Sequence, residues 1–324
     1  MNALIPPFDP HAVFVVPWTS GLPVFGWVVL MGFLVTALCG IVGNYLILRR
    51  MALMGDAISH SVLPGLALAF LAFGSRGIGP MLAGALFAAV VTTGLIELLH
   101  RPTRLKPDAA TGIVFTCLFA AGVVLISLFA DRVDLDQDCV LHGELAQVPF
   151  EPFLRMGGMV LGPPSVIRMA AAGAVVLVLV ALFYKELLVS SFDAALARCV
   201  GIRTGLVHHA LMAGVSVLVV FAFQSVGAIL VIAMLILPGA TSSFLSERLP
   251  GRMAWSVMHA AASSVLGLHL ALWLDCSIAA AMVVAGCVLF VCAWGVSAVR
   301  AALRQRFAGA DNGEISGAGV IQGG

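Results

Sequence analysis

Charge is scarce in this chain. Only 10% of its 324 residues are Asp, Glu, Lys or Arg, where soluble domains carry about 25%. A net charge of +1 gives no purchase on a polyanion and excludes a nucleic-acid binder. Catalytic signatures are missing as well. There is no GxxxxGKS/T phosphate loop, so ATP is not bound by that route. There is no HExxH and no GxSxG, which speaks against a membrane protease or hydrolase. The seven cysteines, at 39, 117, 139, 199, 276, 287 and 292, form no CxxC. Most fall in apolar runs, where Cys behaves as a small hydrophobe. The first basic residue is Arg49, so a positive n-region is missing and no secretory signal is expected.

What is abundant is apolar surface. The chain is 61% hydrophobic, with a mean hydropathy of +1.09. Crossing a bilayer takes about 17–25 apolar residues as a helix. Runs of that kind lie at 23–48, 57–74, 79–99, 110–130, 166–189, 206–224, 226–246, 254–274 and 277–299. The second is short and interrupted by Pro and Gly, and the sixth and seventh part only around Gln224-Ser225. The expected fold is an all-α polytopic membrane bundle of eight or nine spans.

Basic residues orient it, because cytoplasmic loops carry excess Lys and Arg. Arg49 and Arg50 end the first span; Arg101, Arg104 and Lys106 follow the third. Lys185, Arg198 and Arg203 follow the fifth, Arg248 and Arg252 the seventh, and Arg300, Arg304 and Arg306 the ninth. The opposite faces carry only Arg76, Arg132, Arg155 and Arg168. This alternation predicts the N-terminus outside and the C-terminus inside, and supports nine spans over eight. It divides the chain into an extracytoplasmic segment 1–22, a transmembrane domain 23–300 and a polar, Gly-rich cytoplasmic tail 301–324 expected to be disordered. The outer segment 131–165 is acidic, with Asp131, Asp134, Asp136, Asp138, Glu144 and Glu151. It reads as a solvated loop or as a surface for cations or a partner. Cys139 and Cys276 fall on the same side and leave one disulfide open.

Against this background, Asp56 and His60 stand out. An ionisable group at the centre of a membrane helix costs at least about 2.5 kcal/mol and marks a functional candidate. Four residues apart, the two share one face of a helix. Carboxylate oxygen and imidazole nitrogen both ligate divalent transition metals. Pro64 lies four residues after His60 and cannot donate to its carbonyl, which predicts a kink at the candidate ligand. Such backbone is tolerated in a bilayer only beside protein or a water-filled cavity. Two plainer readings stay open: Asp56 after Gly55 as a helix N-cap, and His60 as an interhelical hydrogen-bonder.

Residues 191–203, SFDAALARCVGIR, read as a short helix between the fifth and sixth spans. Ser191 or Asp193 caps its start, and Gly201 ends it in a left-handed conformation. Phe192, Leu196, Cys199 and Val200 form an apolar stripe. Without a Lys-rich face, this stripe suits a partner's groove better than lipid.

Three stretches together carry a resemblance: GDAISHSVLPG (55–65), SFDAALARCVGIRTG (191–205) and QSVGAILVIAMLILPGATSSFLSERL (224–249). They resemble the permease subunits of ATP-binding-cassette importers for manganese, zinc and iron, over most of residues 24–300. RLKPDAATGIVFTCLFAAGVVLIS (104–127) is similar too. The resemblance implies a multi-pass protein of the bacterial cytoplasmic membrane that is not itself an enzyme. Its partners would be a second permease subunit, identical or related, a cytoplasmic ATPase and an extracytoplasmic metal-binding protein. No cofactor would be bound permanently; the divalent ion is cargo, and the HSVLPG form is more similar to the manganese and iron branch than to the zinc branch.

By the same resemblance Asp56 and His60 bind the passing ion. Ser59, Pro64, Gly65, Gly227 and Pro238 fall on pathway and hinge positions, with Gly227 and Gly239 allowing close packing and Pro238 freeing the Met234 carbonyl. The ATPase-coupling helix falls on 191–203, with Phe192, Asp193, Leu196, Ala197 and Gly201. One position departs: members often carry an acid before the aspartate of the LKxD stretch, and this chain has Pro107, leaving Asp108 alone.

Other polar residues are weaker candidates. Glu97 reads as a snorkelling group or a cytoplasmic ion pair. His259 and His269 are ten residues apart, which puts them about 80° apart around a helix and roughly 15 Å along it, too far to share an ion. Met234 and Met282 read as packing residues. Two rival functions remain: a proton-coupled metal carrier without an ATPase, in which Asp56 and His60 also carry protons, and a membrane metalloenzyme, for which no general base stands beside the pair.

Overall fold

The structure, a computed structural model, describes residues 6, 8–51, 53–74, 78–100, 102–103, 105–129, 145–156 and 159–318, with backbone alone for 78, 156, 159, 228–229 and 304–318. Most of the acidic outer segment, Cys139, Arg76, Arg101, Arg104 and Arg132 lie outside the described residues, as do 319–324. The chain opens with a short helix α1 (Pro10–Phe14) and a 3-10 turn at Val16–Trp18. Four long helices follow: α2 (Leu22–Leu48), α3 (Met54–Phe73), α4 (Ile78–His100) and α5 (Pro107–Leu128). A 3-10 stretch, Leu145–Phe150, and a small antiparallel hairpin, β1 (Leu154–Met156) with β2 (Met159–Gly162), lead to α6 (Pro164–Leu182). Then come α7 (Tyr184–Phe192), α8 (Ala194–Cys199), α9 (Thr204–Val226), α10 (Ala228–Leu245), α11 (Leu249–Leu274) and α12 (Ile278–Ala318).

Eight of these helices, among the described residues, are long and apolar enough to cross a membrane. The ninth expected span is α10, which is shorter, with 18 residues. Two boundaries differ from expectation. The fifth apolar run does not continue to 189: α6 stops at Leu182, and α7 begins anew at Tyr184, where Lys185 and Glu186 leave the hydrocarbon pattern. At the other end, α12 continues as helix to Ala318, through most of the 301–324 tail expected to be disordered. Ala301, Ala302 and Leu303 are strong helix formers and give no stop signal there.

The helices pack as a bundle because each has apolar residues to bury all round. The core runs through Met31, Tyr45, Ile58, Leu218, Leu235 and Met282, all at or below 2% exposure. The arm α3 is held by α4, α5 and α10, while α2 packs on α10 and α11. Backbones approach closely where α3 meets α4. A methyl group on Gly65 would overlap the Gly84 carbonyl, and one on Gly84 would overlap that of Gly65. Only glycine fits such a crossing, as at small-residue interfaces generally.

One buried polar knot ties α2 to α10 and α11. Asn44, 1% exposed, donates from Nδ2 to the Gly40 carbonyl and to Ser256 Oγ, both at 2.8 Å. Ser242 Oγ donates to Asn44 Oδ1 at 3.0 Å, and Ser256 Oγ donates to the Pro238 carbonyl at 3.2 Å. A polar side chain in hydrocarbon needs all its partners from within the protein, and this one has them.

Candidate functional site

The helix α3 begins at Met54, with Leu53 as its cap and no side-chain cap bond. Asp56 is therefore inside the first turn rather than capping it, where a carboxylate favours the positive end of the helix dipole. One turn on, His60 Nε2 lies 3.1 Å from Asp56 Oδ1. A carboxylate only accepts, so Nε2 carries the hydrogen between them. A divalent ion would take that hydrogen's place, with one oxygen and one nitrogen as ligands. The two side chains are 25% and 26% exposed, which leaves the pair within reach of an ion from outside its own packing.

The imidazole is held between two aromatic rings of α5. Phe115 stacks on it, with centroids 5.7 Å apart and planes at 24°, and Phe119 meets it edge-on at 5.6 Å. These two contacts fix the plane of the imidazole ring. Sequence reasoning missed both residues. Their spacing of four puts them on one face of a helix but does not say that this face meets His60.

The expected hinge residues have distinct surroundings. Ser59 Oγ donates to the Gly55 carbonyl at 2.9 Å and is buried. Pro64 sits inside α3, which runs unbroken through it from Met54 to Phe73. Its ring packs on α5: a methyl on Gly122 would come within 2.8 Å of Pro64 Cδ. Gly227 separates α9 from α10 with φ +88°, a conformation that favours glycine. Gly239 faces Ile47, and Pro238 belongs to the knot with Asn44. Asp108 is exposed in the first turn of α5, just after Pro107 at its first position.

The 191–203 segment is not one helix. Ser191 and Phe192 end α7, Asp193 is extended, and the independent helix is α8 alone, six residues long. Asp193 does cap it, accepting from the amides of Ala195 and Leu196 at 2.8 and 2.9 Å. At the far end Ile202 N–H bonds the Ala197 carbonyl and Gly201 N–H that of Arg198, a Schellman closure with Gly201 at φ +87°. Ala197 is buried, while Phe192, Leu196, Cys199 and Val200 are exposed.

The remaining candidates are scattered. Glu97 Oε2 pairs with His209 Nδ1 at 3.1 Å, linking α4 to α9. His259 is buried, and among the described residues its Nδ1 has no hydrogen-bond partner. His269 lies nearer the C-terminal end of α11; its Nδ1 is 2.8 Å from the Val13 carbonyl, and its Nε2 accepts from Trp18 Nε1 at 3.3 Å. It pins the N-terminal segment to α11. Met234 and Met282 are buried packing residues.

With an Asp–His pair on one membrane helix and a short capped helix exposing an apolar face between two spans, the comparison with known proteins is decisive. Residues 22–297 match the family described as "ABC 3 transport family". The chain belongs to the ABC 3 transport family. This ABC 3 chain is 40% identical over 256 residues to the manganese transport system membrane protein MntD of Bacillus subtilis (strain 168), covering 79% of it and 86% of the relative. It is 39% identical over 265 residues to the zinc transport system membrane protein TroD of Treponema pallidum (strain Nichols), covering 81% and 71%. Among solved structures it is similar to PsaBC from Streptococcus pneumoniae in complex with Fab, with TM-score 0.68 and 30% identity over 83% of this chain and 90% of that one. An ABC 3 chain of this kind is a membrane-embedded transport subunit, and its helices are those of a multi-pass bundle.

Proposed function

We propose that this chain is the permease subunit of an ATP-driven importer of divalent transition-metal ions, manganese before iron, in a bacterial cytoplasmic membrane. The observation that carries the reading is the Asp56–His60 pair, an oxygen and a nitrogen donor 3.1 Å apart on one membrane helix. Similarity to relatives named for manganese transport supports the choice of cargo. Similarity to one named for zinc makes zinc the second reading.

The mechanism is alternating access. A binding protein outside releases the ion toward Asp56 and His60. A pathway site must be strong enough to accept an ion and weak enough to lose it. Two side chains per subunit suit that better than a closed four-ligand cage, and a second permease, identical or related, completes the pore. The exposed apolar face of Phe192, Leu196 and Val200 docks in a groove of a cytoplasmic ATPase, with Asp193, Ala197 and Gly201 holding the docking turn in shape. ATP hydrolysis occurs on that partner.

The test is elemental analysis of manganese, iron and zinc in cells lacking their own importers. The cells express this chain with its ATPase and binding protein. One metal should accumulate, and accumulation should vanish with Asp56→Ala and with a hydrolysis-dead ATPase. Uptake that persists with the dead ATPase would favour a proton-coupled carrier and overturn the importer reading.

A further inference from the structure

Two arginines end α2, and the structure treats them differently. Arg50 is exposed. Arg49 is half-buried, with its guanidinium turned into the bundle between α7 and α9. Its Nη2 donates to Ser190 Oγ at 2.8 Å and its Nε donates to Ser191 Oγ at 3.0 Å. Its Nη1 lies 3.4 Å from His208 Nδ1, which accepts there because a guanidinium has only donors. Both serine hydroxyls give their own hydrogens to the Leu187 carbonyl, so their lone pairs are left for the arginine. A planar fork on two adjacent hydroxyls is a geometry that lysine cannot reproduce. Burial lowers the Arg49 pKa from its ordinary value, and Tyr45 opposes that shift; the group remains a cation.

What lies on each side of this clamp gives it meaning. Ser191 is two residues before Asp193, the cap of α8. On the other side, Arg50, Met51 and Met54 are hydrogen-bonded at the end of α2 and the start of α3. Met51 N–H bonds the Leu46 carbonyl and Arg50 N–H that of Ile47, a Schellman closure with Arg50 at φ +57°. Met54 N–H then bonds the Met51 carbonyl, and α3 carries Asp56 in its first turn. These bonds hold Arg50 and Met51 against the end of α2, and Met54 against Met51.

We propose that Arg49 is a positioning residue that ties the ATPase-docking segment to the start of α3, so that displacement of α7 and α8 moves the Asp56–His60 pair. This rests on the reading of α8 as the ATPase contact. Energetic coupling needs a physical element that both sites bias, and Arg49 is the charged side chain that bonds both serines before α8 while standing at the head of the α2–α3 turn. Losing the tie leaves each end intact and separates ATP hydrolysis from metal movement.

The experiment uses the full complex, with ATPase and binding protein, in proteoliposomes, and reads radioactive manganese imported per ATP hydrolysed. Arg49→Gln should lower that ratio about tenfold, within the range of typical coupling energies, while hydrolysis continues. Ser190→Ala with Ser191→Ala should lower the same ratio, and combining it with Arg49→Gln should add little, as expected of groups sharing one interaction. Arg50→Gln should leave the ratio unchanged. An unchanged ratio in both Arg49→Gln and the double serine variant would overturn the proposal, as would uptake and hydrolysis falling in equal proportion. Should Arg49→Gln fail to assemble, the double serine variant decides alone. If the unaltered complex imports no manganese, iron or zinc with ATP, the permease reading itself fails, a result distinct from loss of the ratio in a variant.

Discussion

Two polar groups inside the same apolar bundle are built in opposite ways. Asn44 is 1% exposed and has both ends of its amide engaged by Gly40, Ser256 and Ser242. Asp56 and His60 are each about a quarter exposed and hold chiefly one another. Buried amides in a membrane are stable when nothing is left over. On the proposed reading, Asp56 and His60 exchange partners with a passing ion, and such a group has to keep donor capacity in hand. Satisfaction therefore separates the scaffold from the proposed pathway more sharply than polarity does.

Breaking the open pair gives the largest expected effect. Asp56→Ala should reduce metal accumulation to background. The protein's thermal unfolding in detergent should hardly move, since the carboxylate sits at a partly exposed helix start. Breaking the knot should do the reverse. Asn44→Ala should lower stability by about 1–2 kcal/mol, the worth of interhelical polar contacts in membranes, seen as an earlier unfolding midpoint. Uptake per folded molecule should remain. Ser256→Ala removes one arm of the knot and should cost about 0.6 kcal/mol, measured the same way. Replacing Phe115 with Leu sharpens the contrast at smallest scale. The pocket stays apolar but loses the stacked face, so half-saturating metal concentration should rise modestly while the unfolding midpoint stays within about 1.5 kcal/mol of the parent. A drop in uptake for Asn44→Ala as complete as for Asp56→Ala, at equal folded protein, would collapse the distinction.

Much of this was legible in the sequence, for reasons that can be named. The spans follow from runs of apolar residues, a local property. The Asp56–His60 contact follows from a spacing of four on one helix, also local. The cap by Asp193 and the positive φ at Gly201 follow from residue preferences at helix ends. The break at Phe183 was missed because apolar residues continue past it, and only Lys185 and Glu186 mark the change. Residues 191–203 looked like one helix because the apolar stripe runs across the cap. The knot was out of reach: Asn44 meets partners 198 and 212 residues away, and no periodicity encodes which helix faces which. Phe115 and Phe119 were hidden for the same reason, since a span rich in apolar residues does not say which of them face His60. Arg49 was visible only as a topological charge, equal to Arg50 until the fold turned one inward.

The crossing of α3 and α4 at Gly65 and Gly84 has a mechanical side. Helices that interlock through large side chains shift in steps, because each knob must leave one hole before entering the next. Here backbone meets backbone beside the methyl groups of Ala88 and Ala69, so the teeth of the crossing are short. The arm carrying Asp56 and His60 therefore rests on a shallow bearing, and a small push at its Met54 end meets no large side chain at the two glycines.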